Sequence, residues 1–338
     1  MTEQLKLKLN DSKATRWGAL VIVAFTMMAA YYVNDVVAPL KTMLETDLAW
    51  SSTDFGFFTG GYSFLNVFFL MLIWGGLILD RFGIRFTGKL ATILMVGGTA
   101  LEYYAMTGLA GADATLFGIN EIFGYKTGVF VAFAGYSIFG VGAEVAGITV
   151  SKIIAKWFKG KELATAMGVQ VALARIGSQA GYAVAIPLAR AFGISTPVLL
   201  GLVLLLGGMI AFFIFAVMDK KLDKQMEAAA IAAGTEDEEE KFSFKDVKNI
   251  LVNPGFWLIA LLCVLFYSCV FPFQKFASEL MIIKYGINEN VAGTFAGLPA
   301  LGALILTPVF GGFIDKRGKS ASIMLLGSAM LICVHFIY

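Results

Sequence analysis

The sequence predicts an all-α protein that crosses a membrane many times. Hydrophobic residues make up 58% of its 338 residues, charged residues only 15%, and the mean hydropathy is +0.78. A soluble domain of this length could not bury so much apolar surface, because the buried fraction grows slowly with chain length. The apolar residues also form blocks of about 20 residues, the length that an α-helix needs to cross the hydrocarbon core.

Nine apolar blocks predict nine transmembrane helices, which we number spans 1 to 9. They cover roughly residues 17–40, 54–79, 88–109, 128–155, 163–188, 195–217, 255–283, 291–314 and 320–338. Glycine (37 residues) is abundant, as expected where helices pack closely in lipid.

A motif repeated at the ends of spans 2 and 8 organises these helices. Each copy has a glycine, an acid four residues later, a base directly after the acid and a second glycine. The copies are Gly76, Asp80, Arg81, Gly83 and Arg85, and Gly311, Asp315, Lys316 and Gly318. Corresponding positions in spans 2 and 8 predict two six-helix bundles related by an internal repeat, which is typical of secondary transporters.

The chemistry of this motif predicts a gate. A carboxylate at a helix end, such as Asp80 or Asp315, can pair with a base or a helix N-terminus of the other bundle. Such a contact would form when that side of the protein is closed and break when it opens. The glycines permit close approach and a sharp turn.

The repeat also sets the expected domains. We expect a polar tail (1–16), a six-helix bundle (17–218), a cytoplasmic linker (219–253) and a partial second bundle of spans 7–9 (254–338). The linker carries the acidic run 236–240, which is typical of a solvated tether, and residues 242–248 predict a short amphipathic helix. A six-plus-six plan has twelve spans, so we expect this chain to be truncated after span 9.

The distribution of basic residues predicts the topology. Most of the 26 Lys and Arg residues lie in the tail, in the linker and after spans 2, 4 and 8. The positive-inside rule therefore predicts a cytoplasmic N-terminus, with span 1 as an uncleaved anchor. Basic residues spread over several membrane-flanking segments do not suggest nucleic-acid binding. The three cysteines lack metal-ligand spacing, and we expect neither a metal site nor a cofactor.

Charged residues inside spans are costly and are therefore candidates for function. Glu144 in span 4 and Arg175 in span 5 lie roughly 17 and 20 Å from the cytoplasmic edge, at about 1.5 Å per residue. Both are thus near the middle of the membrane, on antiparallel neighbours joined by a tight turn.

This pair suggests a ligand with two opposite charges. Arginine can bind a carboxylate with two parallel hydrogen bonds, and glutamate can accept an ammonium group or carry a proton. A zwitterion such as an amino acid or a short peptide would satisfy both residues. The alternative is that Glu144 and Arg175 only neutralise each other inside the bundle.

Asp35 and Gln170 are weaker candidates. Asp35, near the outer end of span 1, could line an entrance, bind a proton or simply face water. Gln170 could hydrogen-bond a substrate or a neighbouring helix. Lys275 and Glu279 lie one helical turn apart and could pair with each other.

Several segments resemble known transporters. The repeated motif is similar to the signature loop of the major facilitator superfamily, whose members have two six-helix bundles that rock around a central site. Residues 156–163, 174–178, 270–273 and 309–316 resemble the lysosomal dipeptide transporter family of that superfamily and its bacterial relatives. The resemblance implies that the helix-4 glutamate and helix-5 arginine, here Glu144 and Arg175, bind the termini of a dipeptide.

We therefore expect a secondary transporter, not an enzyme, that moves a small zwitterionic or anionic solute, foremost a dipeptide or an amino acid. Proton coupling through Glu144 or Asp35 stays open. The alternatives are a facilitator of inorganic or organic anions, such as nitrate, and a non-transporting membrane sensor or scaffold. Short loops favour a bacterial inner membrane, and we expect a monomer.

Overall fold

The computed structural model describes residues 8–111, 114–233, 251–317 and 320–337. In these ranges the chain is almost entirely α-helical. The helices are α1 (Lys13–Val36), α2 (Lys41–Asp47), α3 (Ser52–Phe68), α4 (Met71–Thr107), α5 (Thr127–Trp157), α6 (Leu163–Phe192), α7 (Thr196–Ala233), α8 (Pro254–Tyr285), α9 (Glu289–Arg317) and α10 (Ser320–Ile337). Two short antiparallel strands, β1 (Glu121–Ile122) and β2 (Tyr125–Lys126), lie between α4 and α5. The predicted all-α class is confirmed.

Five of the described helices are long and apolar enough to cross a membrane, or six if the bent pair α3 and α4 forms one span. The helix α6 is not among them, since it carries the polar residues Gln170, Arg175 and Gln179. Residues 321–337 of α10 form a shorter apolar helix. Helix positions nevertheless follow the predicted spans closely, with differences at two places.

The first difference is a break inside span 2. The sequence predicts one helix over residues 54–79, whereas α3 ends at Phe68 and α4 begins at Met71, with a bend of 58° between them. Leu70 lies in the left-handed region (φ 51°), where a bulky side chain is strained. The predicted turn between spans 2 and 3 lies within α4 at Gly83, whose φ of 75° favours glycine.

The second difference concerns the linker. The sequence predicts that a polar loop begins at residue 219. This is wrong, because α7 continues as a helix to Ala233. This extension ends in an alanine-rich stretch, and alanine has the highest helix propensity. The acidic run 236–240 and the amphipathic segment 242–248 lie outside the described residues.

Small residues bring the helices of the first bundle together. The helix α5 packs against α3 and α4, while α1 packs against α6 and α7. A Cβ on Gly135 of α5 would lie 2.6 Å from the carbonyl oxygen of Gly98 on α4. On α6, a Cβ on Gly177 would lie 2.1 Å from the carbonyl oxygen of Met28 on α1. These two backbone contacts fix α5 and α6, the helices that carry the candidate site.

The helices α8 and α9 meet the first bundle at one end only. We call this the α2 end, because α1 ends there and α2 follows. We call the opposite end the N-terminal end; it contains Leu9–Asp11 and the turn between α5 and α6. Ala277 of α8 and Ala296 of α9 are buried at the α2 end. Towards the N-terminal end, residues 254–272 of α8 are exposed or half-buried. The described helices are therefore closed at the α2 end and separated at the other.

Candidate functional site

Glu144 lies on α5 with one carboxylate oxygen bound to the protein. The Tyr62 hydroxyl on α3 donates a hydrogen bond of 2.8 Å to Glu144 Oε1. One turn earlier, Gly140 lets the two backbones approach, since a Cβ there would lie 2.4 Å from the Tyr62 carbonyl oxygen. The close contact of α3 with α5 thus positions the hydroxyl that orients Glu144.

Arg175 lies on α6 over an aromatic ring of α1. Its guanidinium carbon is 5.7 Å from the centre of the Tyr31 ring, within the range of a cation–π interaction. Tyr31 is close enough to interact electrostatically with Arg175 and with Glu144. It therefore lies near both candidate charges.

Glu144 and Arg175 are both half-buried. Within the described part of the chain they form no ion pair with each other, and Arg175 donates no hydrogen bond to a protein acceptor. A direct Glu144–Arg175 pair, the alternative raised by the sequence, is not present. One carboxylate and one guanidinium instead lie near the same tyrosine, each available to a ligand.

Asp35 lies in a contact between the two bundles. Its carboxylate accepts a hydrogen bond of 2.9 Å from Asn34 Nδ2 and lies 3.9 Å from Lys275 Nζ of α8. Lys275 also donates to the Asn34 carbonyl oxygen (2.7 Å) and to the Tyr136 hydroxyl (3.1 Å). Of the three roles open for Asp35, the structure shows none directly; it shows a contact that joins α8 to α1 and α5.

Lys275 and Glu279 do not pair, which corrects the simple one-turn pairing considered from the sequence. Glu279 binds Lys41 of α2 instead, at 2.5 Å, and Lys41 is also bound to Glu45 at 2.7 Å. At the same end, Arg190 of α6 pairs with Glu289 of α9. We call the pairs Asp35–Lys275, Lys41–Glu279 and Arg190–Glu289 the α2-end latch.

The first copy of the repeated motif lies at the N-terminal end. Asp80 pairs with Lys152 of α5 at 2.9 Å, which is a contact within the first bundle and not the predicted one with the second. Arg81 lies over the ring of its neighbour Phe82. A Cβ on Gly76 would meet nothing within 4 Å among the described residues, whereas one on the adjacent Gly75 would lie 2.6 Å from Val145.

The last basic residue of that copy belongs to a network that the sequence analysis missed. Arg85 binds Asp219 (3.2 Å) and Asp223 of α7, and Lys156 of α5 binds the same two acids at 2.8 and 2.5 Å. Trp157 Nε1 donates to Asp219 at 3.0 Å, and Asp219 is fully buried. The network was missed because the sequence placed Asp219 in a solvated linker.

Residues 17–338 match the profile of the Major Facilitator Superfamily. The chain belongs to this superfamily. The prediction of a transporter family, and not of an enzyme, is thereby confirmed.

Individual relatives agree with this assignment. The chain is 27% identical to the lysosomal dipeptide transporter MFSD1 of Pongo abelii, over 94% of this chain and 64% of that protein. It is also 27% identical to the MFSD1 of Homo sapiens, over 95% of this chain and 66% of that protein. The chain thus spans slightly less than two thirds of the length of these relatives.

A solved structure of the superfamily has the same fold. The crystal structure of a D-xylose–proton symporter superimposes with a TM-score of 0.56 at 16% identity, covering 89% of this chain and 69% of that one. Identity at this level speaks to the fold alone. It supports the predicted major facilitator arrangement of the helices.

The second copy of the repeated motif is described only in part. In the last turns of α9 lie Gly311, Asp315 and Lys316, whose side-chain contacts the structure does not describe. Gly318 lies outside the described residues. Gln170 is half-buried on α6 without a hydrogen bond to the described residues. Neither observation assigns these residues a role.

Two ion pairs fasten the N-terminal end. Arg16 of α1 binds Glu162 at 2.8 Å, and Lys161 binds Asp11 at 2.8 Å. The hydrogen bond from Lys161 lowers the pKa of Asp11. The pKa of Glu162 is lowered by the backbone N–H of Glu162 itself and by the hydrogen bond from Arg16. Both carboxylates therefore stay ionised at neutral pH and hold the turn before α6 against the start of α1.

Proposed function

We infer that the protein is a secondary transporter that moves a small zwitterion, a dipeptide or an amino acid, across a membrane by alternating access. The observation that carries this inference is the placement of Glu144 and Arg175. They lie on consecutive helices, are both near Tyr31 and, among the described residues, are not paired with each other. Unpaired opposite charges inside a membrane protein are expensive, and a ligand with opposite charges relieves that cost.

The chemistry assigns one end of the ligand to each residue. Arg175 binds the carboxylate, because a guanidinium offers parallel N–H donors that match both oxygens. Glu144 binds the ammonium group through the oxygen that Tyr62 leaves free, while the Tyr62 hydroxyl fixes the carboxylate plane. The names of the MFSD1 relatives, which are dipeptide transporters, support this class of substrate.

The α2-end latch supports the alternating-access part of the proposal. Three ion pairs join the bundles at one end, while α8 is separated from the first bundle at the other. With the predicted cytoplasmic N-terminus, this arrangement is open to the cytoplasm. The short loops favour a bacterial inner membrane, and we propose that the protein acts there as a monomer.

Uptake into proteoliposomes tests the proposal, with a labelled dipeptide compared against nitrate and a dicarboxylate. Glu144→Gln should reduce dipeptide uptake at least tenfold, since a hydrogen bond to a charged group contributes about 1.5–3 kcal/mol, and should change anion uptake little. Arg175→Gln should reduce both. The exposed residues Glu227 and Lys159 provide matched controls, and Glu227→Gln and Lys159→Gln should leave uptake unchanged.

Two other outcomes point to the alternatives. An equal loss of dipeptide and anion uptake in Glu144→Gln contradicts the zwitterion proposal and favours an anion facilitator, because Glu144 would then act on any solute, as a proton site or counter-charge, and not on an ammonium group. If the folded protein transports none of these solutes, the sensor or scaffold interpretation is favoured instead.

A further inference from the structure

The loop between α4 and α5 contains two turns with the same pattern: an apolar residue, Phe, Gly and a second apolar or aromatic residue. They span residues 116–119 and 122–125, and we call them the twin turns. Backbone hydrogen bonds of 3.0 Å run both ways between Leu116 and Ile119, and β1 pairs with β2 across the second turn. The loop is therefore an ordered double hairpin.

Both turns hold a phenylalanine in the left-handed region. Phe117 and Phe123 have φ of 53°, and the glycines that follow have φ of 78° and 80°. Positive φ at both central residues is typical of a type I′ turn, which favours Asn, Asp or Gly at its first central position. A bulky residue there is strained.

The rest of the chain buries neither of these two rings. Phe117 is 95% exposed and Phe123 is 88% exposed. Neither the backbone preference nor burial explains a phenylalanine at these positions. Contact with an apolar environment outside the chain would explain both phenylalanines.

The twin turns are held firmly at the α2 end. The Tyr125 ring stacks on Phe57 of α3 with centroids 3.9 Å apart, and Lys126 Nζ donates to the Ala49 carbonyl oxygen. Thr127 Oγ1 donates to the Ile119 carbonyl oxygen at 2.8 Å. The two exposed rings therefore keep a fixed position relative to α3 and α5.

An aromatic ridge connects the second turn to the outer surface of the bundle. Phe123 lies 6.0 Å from Phe130, Phe130 lies 6.1 Å from Phe133, and Phe133 lies 5.3 Å from Phe64 of α3. Phe64 continues to Phe68, which is largely exposed. The ridge thus runs from the twin turns along helices that cross the membrane.

The helix geometry shows which way this ridge faces. Tyr62 points from α3 towards Glu144, and two residues along a helix correspond to about 200° of rotation. Phe64 therefore faces away from the candidate site. On an outer helix surface inside a bilayer, exposed aromatic rings contact acyl chains.

We propose that Phe117 and Phe123 insert into the boundary between headgroups and acyl chains of the leaflet at the α2 end. The lipid surface continues the contact that Phe64 and Phe68 make deeper in the membrane. The twin turns then set the depth at which α4 ends and α5 begins, independently of the transported solute.

Spin labels in proteoliposomes test this proposal. Cys263, Cys269 and Cys333 are replaced with serine, and Phe117→Cys, Phe123→Cys and Glu121→Cys are labelled one at a time. Glu121 is exposed in the same loop and serves as the matched control. At positions 117 and 123, collisions with oxygen, which concentrates in lipid, should exceed collisions with a water-soluble nickel chelate several-fold. The order should reverse at position 121.

Two results would overturn the proposal. Nickel-dominated collisions at positions 117 and 123 would place the rings in water. Immobile labels shielded from both reagents would show that a protein surface covers them. Should a cysteine variant fail to fold, Phe117→Trp and Phe123→Trp give the same distinction, because brominated lipids should quench the added fluorescence and aqueous iodide should not.

Discussion

Tyr62 is the residue through which α3 acts on the candidate site. Its hydroxyl is the one protein group that donates to Glu144 among the described residues. Tyr62→Phe keeps the ring contacts with Tyr136 and Phe139 but removes this bond. The apparent KM for a dipeptide should rise about tenfold, or about 1.4 kcal/mol, with a much smaller change in maximal rate.

Uptake kinetics in proteoliposomes measure this effect. Tyr104→Phe is the control, because Tyr104 is exposed on the outer surface of α4 and should not influence the site. An unchanged KM in Tyr62→Phe would mean that Glu144 is oriented by the substrate itself and not by α3.

Glu102 is a carboxyl group inside a span that lies outside the candidate site. It is fully buried between α4 and α5, and neither carboxylate oxygen has a hydrogen-bond partner among the described residues. Replacing a buried, unpartnered polar group with an apolar one of similar shape is neutral or stabilising. Glu102→Met should therefore raise the stability by about 1–2 kcal/mol.

Thermal unfolding in detergent gives the change in Tm for Glu102→Met. The exposed acid Glu227 again supplies a control, and Glu227→Met should shift Tm little. A clear fall in Tm for Glu102→Met would indicate that the carboxylate binds an internal water or ion.

The sequence locates Glu144 and Arg175 because the cost of a charge depends on depth, and depth follows from residue number along a helix. It does not locate Tyr62 or Lys275 as their neighbours. Whether a hydroxyl or an ammonium faces the site depends on the rotation of α3 and on the docking of α8, which only tertiary packing decides. For the same reason, the Lys275–Glu279 pair expected from helical spacing gives way to Asp35 and Lys41.

At the scale of elements, the break between α3 and α4 is the feature that the sequence least suggests. The segment Phe68–Met71 contains neither glycine nor proline, the usual signals of an interrupted helix. Leu70 takes a left-handed conformation there and is 55% exposed, so little packing depends on its side chain. The bend is therefore imposed by the contacts of α3 and α4 with α5.

Leu70→Gly should stabilise the protein by about 1 kcal/mol, because glycine adopts the left-handed conformation without strain. Leu72→Gly is a matched control: it is similarly exposed but helical, and glycine there should destabilise by about 1 kcal/mol. The Tm values of the two variants should therefore move in opposite directions. A fall in both would mean that the break is not strained.

At the scale of the whole molecule, composition and charge distribution predict helices, their number and their order, since these depend on the bilayer as a solvent. They do not predict which end of the molecule is closed. At the closed end, three ion pairs join the bundles: Lys41–Glu279, Arg190–Glu289 and Asp35–Lys275. The topology prediction places these basic residues among the few that lie outside the cytoplasmic segments. That placement was the one sign in the sequence that they act together at the opposite end.

The latch gives the last prediction. Lys41 is almost fully buried, so replacing it with an acid sets like charges against Glu279 and Glu45 at the contact between bundles. Lys41→Glu should open the α2 end, because repulsion between buried like charges is screened little by salt. Ser278→Cys, buried on α8 in the resting structure, reports opening through its labelling rate with a membrane-impermeant maleimide.

Labelling should accelerate roughly tenfold in Lys41→Glu, equivalent to about 1.4 kcal/mol in the equilibrium between closed and open states. The double variant Lys41→Glu, Glu279→Lys should restore slow labelling, since the reversed pair has the same attraction. Lys126→Glu, at the same end but bonded within the first bundle, should have no effect. If the reversed pair stays open, the side-chain packing of Lys41 against Phe276, and not its charge, closes the α2 end.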